Sequence, residues 1–417
     1  MPVQTAAEAA DPSGVRVAGV DKYFSPRLPE LDGLRGLAIL LVIVWHYFVL
    51  RLEFVPGSLP AYLTATLRLG WSGVDLFFVL SGFLIGGILM DNRLSENYFK
   101  AFYVRRICRI FPLYFLWFLL FCVFLLAAGP PLQATLAWLF GRPQPLWSYA
   151  TFTQNFTMAY SNFGGANWMG ITWSLAVEEQ FYCVLPFIVR YVAPRRLPWL
   201  LVGFIVLAPL LRVFLSFSFS AGPTAAYILM PCRADALLLG ALCAWMVRQR
   251  EIAAWLATHT NILYIAFAIL LAGTGLISVK YDPFLSDGWR NMNYTWLAFL
   301  YACLLMLAVT EKNGPVKILA NIPALRRLGI VAYGVYMFHE GILGLAHGLI
   351  LHQGPKIQTI QDLAITMLAL VATVALAVLS WKSFEKPLVA LGHRLQYQKP
   401  FTAPFATAQP TAKPGVF

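Results

Sequence analysis

Charge is scarce in this chain: Asp, Glu, Lys and Arg make up 12% of its 417 residues, against 59% hydrophobic. Soluble domains carry about a quarter charged residues, so this composition excludes an ordinary array of soluble domains. Cysteine is sparse too. The six present (Cys108, Cys122, Cys183, Cys232, Cys243 and Cys303) show no metal or disulfide spacing. The first 26 residues contain no apolar run, so no cleavable signal peptide is expected. Nucleotide and metalloprotease motifs are missing: there is no GxxxxGK[ST] loop, no GxGxxG and no HExxH. His339-Glu340 opens like the last of these, but position 343 is leucine. Ser81 stands in FFVLSGF, which lacks the first glycine of a GxSxG elbow. No His-x4-Asp box occurs, and residues 36–190 and 198–381 show no inverted repeat.

What is present is a series of long apolar stretches, with a mean hydropathy of +0.67. The pattern predicts an all-α, polytopic transmembrane bundle of ten spans. They fall at 36–52, 71–90, 110–129, 171–190, 198–218, 227–247, 262–279, 294–310, 328–349 and 361–381. Of the 31 Lys and Arg residues, 23 fall on the side of the termini and seven on the other (Arg51, Arg68, Arg142, Arg212, Lys280, Arg290, Lys356), with Arg233 inside the membrane. The positive-inside rule then puts both termini in the cytoplasm. The net charge of +12 reflects topology and anionic lipid contact rather than nucleic-acid binding. The expected organisation is a disordered N-terminus at 1–26, one membrane domain at 27–390 and a disordered Pro/Ala/Thr-rich tail at 391–417.

Ionisable groups inside spans are costly and are functional candidates by default. His46 lies in GLAILLVIVWHYFVLRL, eleven residues after Arg35, about 16 Å along a helix at 1.5 Å per residue. Asp75, Glu178, Glu179, Arg233, Asp235, His339 and Glu340 fall in other spans, at mid-depth or in the outer half. Their convergence predicts one polar cavity lined by several helices. The bland readings compete: Arg233 and Asp235 can simply neutralise carboxylates and fix packing, and Asp75 can be a cap or an arginine partner. For His46 the functional reading prevails; for His339 the two are balanced.

A basic cluster, Arg105, Arg106 and Arg109, lies at the mouth of the third span. Arg106 and Arg109 share a helix face, and two guanidinium forks suit a polyanion such as a phosphate chain. Anchoring to lipid headgroups is the alternative. In the outer segment 130–170, Trp147, Tyr149, Tyr160 and Trp168 alternate with Asn155, Asn162 and Asn167. That mixture suits sugar rings, and equally a membrane interface.

Seven ordered blocks resemble the integral-membrane acyltransferase family 3 over residues 27 to 390. They are LPELDGLRGLAILLVIVWHY with its Arg-x10-His pair, WSGVDLFFVLSGFLI, the Tyr98–Tyr114 stretch with RxxR, ITWSLAVEEQFY, PCRADALLLG, YGVYMFHE and SWKSFEKP. The chain departs from the family pattern after its late histidine. A proline commonly stands two positions after the late histidine, where this chain has Gly341. The resemblance implies ten spans and transfer of an acyl group, commonly acetyl from acetyl-CoA, to a hydroxyl of a carbohydrate or glycolipid in a bacterial inner membrane. It also implies that Arg35 and His46 are essential and that Arg106 and Arg109 bind the donor, with Arg105 nearby; no metal is called for.

Residues and resemblance combine in one expected scheme. Acyl-CoA enters from the cytoplasm past Arg35, and His46 acts as general base on an acceptor hydroxyl arriving from outside. Glu178 or Glu179 orients His46 or binds the acceptor, Arg233 stabilises developing negative charge, and Asp75 and Ser81 shape the site. The rival reading is a proton-coupled secondary transporter, which would need no CoA.

Overall fold

A computed structural model describes residues 28–52, 67–280 and 287–398. The disordered N-terminus expected at 1–26 lies outside the described residues, as does the tail from 399. Among the described residues every regular element is a helix, apart from one isolated bridge between Leu52 and Ile357.

Ten long helices carry the architecture: α1 (Pro29–Ile43), α2 (Gly73–Asp91), α3 (Tyr98–Ala127), α4 (Trp173–Tyr191), α5 (Leu197–Ser218), α6 (Met230–Met246), α7 (Thr260–Lys280), α8 (Asp287–Thr310), α9 (Ala332–Leu351) and α10 (Ile360–Ser380). Among the described residues eight helices are long and apolar enough to cross a membrane, or nine if the bent pair Arg250–Thr258 and Thr260–Leu276 forms one span. The fourth expected span coincides with α4, which is not among them; its 19 residues include Glu178, Glu179 and Arg190. The chain is thus a multi-pass membrane protein.

Helices apolar on all sides are stable where lipid or other helices meet every face, and their ends are set by local chemistry. α10 begins with a capping box: the Thr359 side chain accepts from the Asp362 N–H while the Asp362 carboxylate accepts from Thr359. Prolines open α1 and α6 at the first turn, where no intrahelical donor is needed.

The core is built on α2 and α6, which cross at Gly82 and Gly240. A Cβ on Gly82 would lie 1.8 Å from the Leu237 carbonyl oxygen, and one on Gly240 would lie 2.0 Å from that of Val79. Small residues let membrane helices approach backbone to backbone. Around this pair stand α1, α4, α5 and α8, while α9 pairs with α10. The segment 130–170 forms five short helices (Pro130–Thr135, Ala137–Phe140, Leu146–Ala150, Gln154–Ser161 and Asn167–Gly170). Two of them, Ala137–Phe140 and Asn167–Gly170, pack on α9.

Two details depart from the expected layout. Arg212, counted among the charges of the outer side, is fully buried. It pairs with Asp235 at 2.9 Å and also bonds the Cys232 carbonyl and the Thr295 hydroxyl, because a guanidinium inside the bundle must be neutralised. Residues 391–398, assigned to the tail, complete the helix Lys386–His393 and then bond the start of α3: Asn97 donates to the Gln396 carbonyl and accepts from the Gln398 N–H.

Candidate active site

The helix begun by α1 does not continue regularly. Val44–Val49 is a π-helical turn, and His46 stands in it. Such turns are rare and concentrate at functional sites. Here the turn is pinned from two sides. The Tyr47 hydroxyl donates to the His339 carbonyl at 2.9 Å and lies 2.9 Å from the Thr373 hydroxyl, tying it to α9 and α10. Arg51 Nε donates to the His46 carbonyl at 2.9 Å.

His46 Nδ1 lies 2.9 Å from the Val42 carbonyl, so Nδ1 carries the proton and Nε2 is the free nitrogen. Nε2 lies 3.8 Å from Glu340 Oε1. The Glu340 carboxylate is held by Arg51, whose NH2 group donates to both oxygens at 3.1 Å. The His339 ring packs edge-on against His46, with centroids 4.8 Å apart. Its Nδ1 bonds the Tyr336 carbonyl at 2.6 Å, and its Nε2 is buried with no hydrogen-bond partner. His46, His339, Glu340 and Arg51 therefore form one cluster where the π-turn meets α9.

The short helices of 130–170 lie beside this cluster. The Arg51 guanidinium stacks 4.9 Å from the Trp138 ring centroid. Trp117 and Trp168 stack at 3.9 Å, each indole N–H donating to the other's backbone carbonyl. Gly341 admits that pair, since a Cβ there would meet the Trp117 ring at 2.4 Å. The asparagines expected to face a ligand are committed to packing: Asn155 bonds Gln180 and the Ile228 carbonyl, Asn162 accepts from the Thr224 hydroxyl, and Asn167 bonds the Trp138 carbonyl. Trp147 and Tyr160 are exposed, as the interfacial reading expects.

A separate cavity of about 150 Å³ opens between α1, α2, α3, α4 and α9. Arg35, Arg106 and Arg109 line it together with Ser81, Glu178 and Tyr336. Arg35 is held by Asp32 at 2.8 Å, Arg106 lies over the Tyr182 ring at 5.3 Å and Arg109 over Trp381 at 5.1 Å. Glu178 lines the cavity beside Ser81 and Tyr182, whose hydroxyls are hydrogen-bonded to each other. Tyr336 belongs to both regions: it lines the cavity and its ring centroid lies 5.5 Å from that of His339. Its hydroxyl donates to the Ile171 carbonyl at 2.8 Å, which fixes its position where the two regions meet.

The expected single cavity is thus two neighbouring regions, with a pair of buried bridges behind the Phe78 wall of the cavity. Arg35, Arg106, Arg109, Glu178 and Ser81 come together in the cavity, and His46 and His339 in the cluster. Glu178 faces arginines and hydroxyls, and the carboxylate beside His46 is Glu340. Glu179 has a buried oxygen without a hydrogen bond. Arg105 does not line the cavity; its Nε donates to the Leu395 carbonyl at 3.0 Å and its guanidinium covers Tyr397. Arg233 pairs with Asp75 at 2.6 Å under the rings of Phe78, Tyr227 and Tyr294, and Asp235 pairs with Arg212. These bridges join α2, α5 and α6. Arg51 and Tyr336 are site residues that sequence reasoning did not assign. The adjacency of Glu340 to His339 in one span was a signal; nothing marked the π-turn.

A family profile described as an acyltransferase domain matches residues 28–382. Among curated proteins the chain is 27% identical over 391 residues to "Peptidoglycan O-acetyltransferase OatA" of Listeria monocytogenes serovar 1/2a, covering 88% of this chain and 56% of the relative. It is 26% identical over 392 residues to "O-acetyltransferase OatA" of Staphylococcus aureus strain NCTC 8325, covering 90% of this chain and 59% of the relative. The chain thus spans less than two thirds of the length of these relatives. No solved structure matches it.

Proposed function

The chain belongs to this acyltransferase family, and from that premise we propose that it transfers an acetyl group from acetyl-CoA to a hydroxyl of a cell-envelope glycan. The relatives' names point to a glycan of the peptidoglycan type as acceptor. The reading includes ten spans in a bacterial inner membrane with both termini cytoplasmic, so that the donor reaches the arginine-lined cavity from the cytoplasm and the acceptor reaches His46 from outside. It takes residues 27–390 as one membrane domain.

The observation that carries the proposal is the pairing of two sites across one residue: a cavity lined by three arginines and a histidine with a free Nε2, joined at Tyr336. Arg106 and Arg109 meet the donor's phosphates as bidentate donors, and Arg35 meets the part nearer the thioester.

His46 Nε2 accepts the acceptor's proton as its oxygen attacks the thioester carbon. The carbon–sulfur bond then breaks and CoA thiolate leaves, taking up a proton in turn. Positioned base catalysis of this kind contributes about 10² to 10⁴ in rate. The Val42 carbonyl keeps the proton on Nδ1, and Glu340, held by Arg51, faces the imidazolium as it forms. Its role resembles that of a carboxylate beside a catalytic histidine, which orients the ring and stabilises its charge. Glu178, beside Ser81 and Tyr182, shapes the arginine cavity.

Calorimetric titration of acetyl-CoA into detergent-purified protein tests the reading. Saturable binding to wild type that is lost in Arg106→Ala/Arg109→Ala is expected. Folded wild-type protein that binds neither acetyl-CoA nor CoA would overturn it.

A further inference from the structure

Three unprotonated ligand atoms in one gap are more than a single proton transfer needs. His46 and His339 each direct Nδ1 to a backbone carbonyl, Val42 and Tyr336, at 2.9 and 2.6 Å. Both Nε2 lone pairs are thereby left for a third party. Glu340 supplies a carboxylate oxygen, and the three candidate ligand atoms lie within 4.8 Å of one another. His339 Nε2 is fully buried and bonds nothing. A buried imidazole nitrogen with no donor opposite it is costly, and in a native site it asks for a ligand.

We propose that His46, His339 and Glu340 form a binding site for a divalent transition-metal ion, with zinc as the best match, and that occupancy blocks the enzyme. Two imidazoles and a carboxylate with an open fourth position are a zinc donor set, and imidazole nitrogen selects such ions over magnesium or calcium. The surroundings are those of a metal site as well. Ligating histidines ordinarily donate their second N–H to a carbonyl, and ligating carboxylates are themselves hydrogen-bonded; here Val42, Tyr336 and Arg51 fill those places.

Around a tetrahedral ion with bonds of about 2.0 to 2.2 Å, ligand atoms sit about 3.4 Å apart. The 3.8 Å between His46 Nε2 and Glu340 Oε1 is already close to that. No pair of the three ligand atoms is more than 4.8 Å apart, so side-chain shifts of about 1 Å reach that geometry. Arg51 neutralises Glu340, so the ion keeps its own charge, and the open position admits a water or hydroxide to share it.

Blockade follows because the metal takes the same Nε2 lone pair that the base needs. That part rests on the proposed role of His46; metal binding itself does not.

The test is titration of Zn²⁺ and Co²⁺ into the full-length protein in chelator-treated detergent buffer, followed by calorimetry and by the visible absorption of bound Co²⁺. One ion per chain is expected, with affinity falling at least about tenfold in His339→Gln and in Glu340→Gln, since even partners of ligands matter by 10 to 100-fold. Wild type that binds no ion, or variants that bind with unchanged stoichiometry and affinity, would overturn the site. If either variant fails to fold by thermal melt, protection of His46 from diethylpyrocarbonate by Zn²⁺ in wild type replaces it: protection supports the site and none overturns it. Acetyl transfer should stop with Zn²⁺ and recover with EDTA. Tight binding without inhibition would sustain the site and refute the base role of His46.

Discussion

Removing the charge of Glu340 while keeping its shape isolates the contribution of that carboxylate. In Glu340→Gln the amide keeps an oxygen acceptor for Arg51 but loses the negative charge beside His46. At 3.8 Å and an effective dielectric of about 20, an imidazolium–carboxylate pair is worth about 4 kcal/mol. Arg51, bonded to both carboxylate oxygens at 3.1 Å, opposes the same imidazolium and takes back part of this. A net loss of about 2 kcal/mol is left, close to a 30-fold fall in kcat. The donor's KM should hardly move, because the arginines of the cavity are untouched. The assay is steady-state acetyl transfer in proteoliposomes, with acetyl-CoA varied at saturating acceptor. A folded variant with kcat within twofold of wild type would refute the argument that Glu340 stabilises the charged base.

Other substitutions separate the remaining roles. His46→Ala should lower transfer by about 10² or more while leaving acetyl-CoA binding by calorimetry intact. Arg105→Ala should leave donor affinity within about twofold of wild type, in contrast to Arg106→Ala/Arg109→Ala, because Arg105 is engaged by Leu395 and Tyr397; a donor-affinity loss equal to that of the double variant would contradict this. Asp75→Asn leaves Arg233 buried without its counter-charge, and such breaks cost about 3 to 5 kcal/mol. A lowered thermal midpoint is expected, with part of it regained in Asp75→Leu/Arg233→Met. Gly82→Val should cost at least about 1 to 3 kcal/mol through overpacking against Leu237, read as loss of monodisperse protein in size-exclusion chromatography.

The helical, multi-pass character was legible because hydropathy records the solvent each helix meets, and every expected span coincides with a helix. The Arg35-to-His46 spacing also marked both regions, since eleven residues separate the cavity from the cluster along one continuous rod. What the sequence left open depends on which faces meet. Linear order placed Glu178 and Arg106 in the right depth range, yet only packing shows that Glu178 faces the cavity and Glu340 faces His46. Arg212 reads as an end-of-span charge until Asp235 is found opposite it. The π-turn at Val44–Val49 has no sequence signature, and without it the approach of Arg51 to the His46 carbonyl is not foreseen. Aromatic residues misled in the other direction: Trp168 and Tyr149 look available in the sequence but are buried in the packing of 130–170.

Passage of the acyl group from acetyl-CoA through the site of His46 is the step on which the proposed activity depends. Proteoliposomes holding wild type or His46→Ala, given acetyl-labelled CoA and a peptidoglycan-type acceptor, measure this directly. Label appearing on the glycan with wild type and absent with the folded, donor-binding variant is the predicted result. Equal labelling by the two would contradict the central claim.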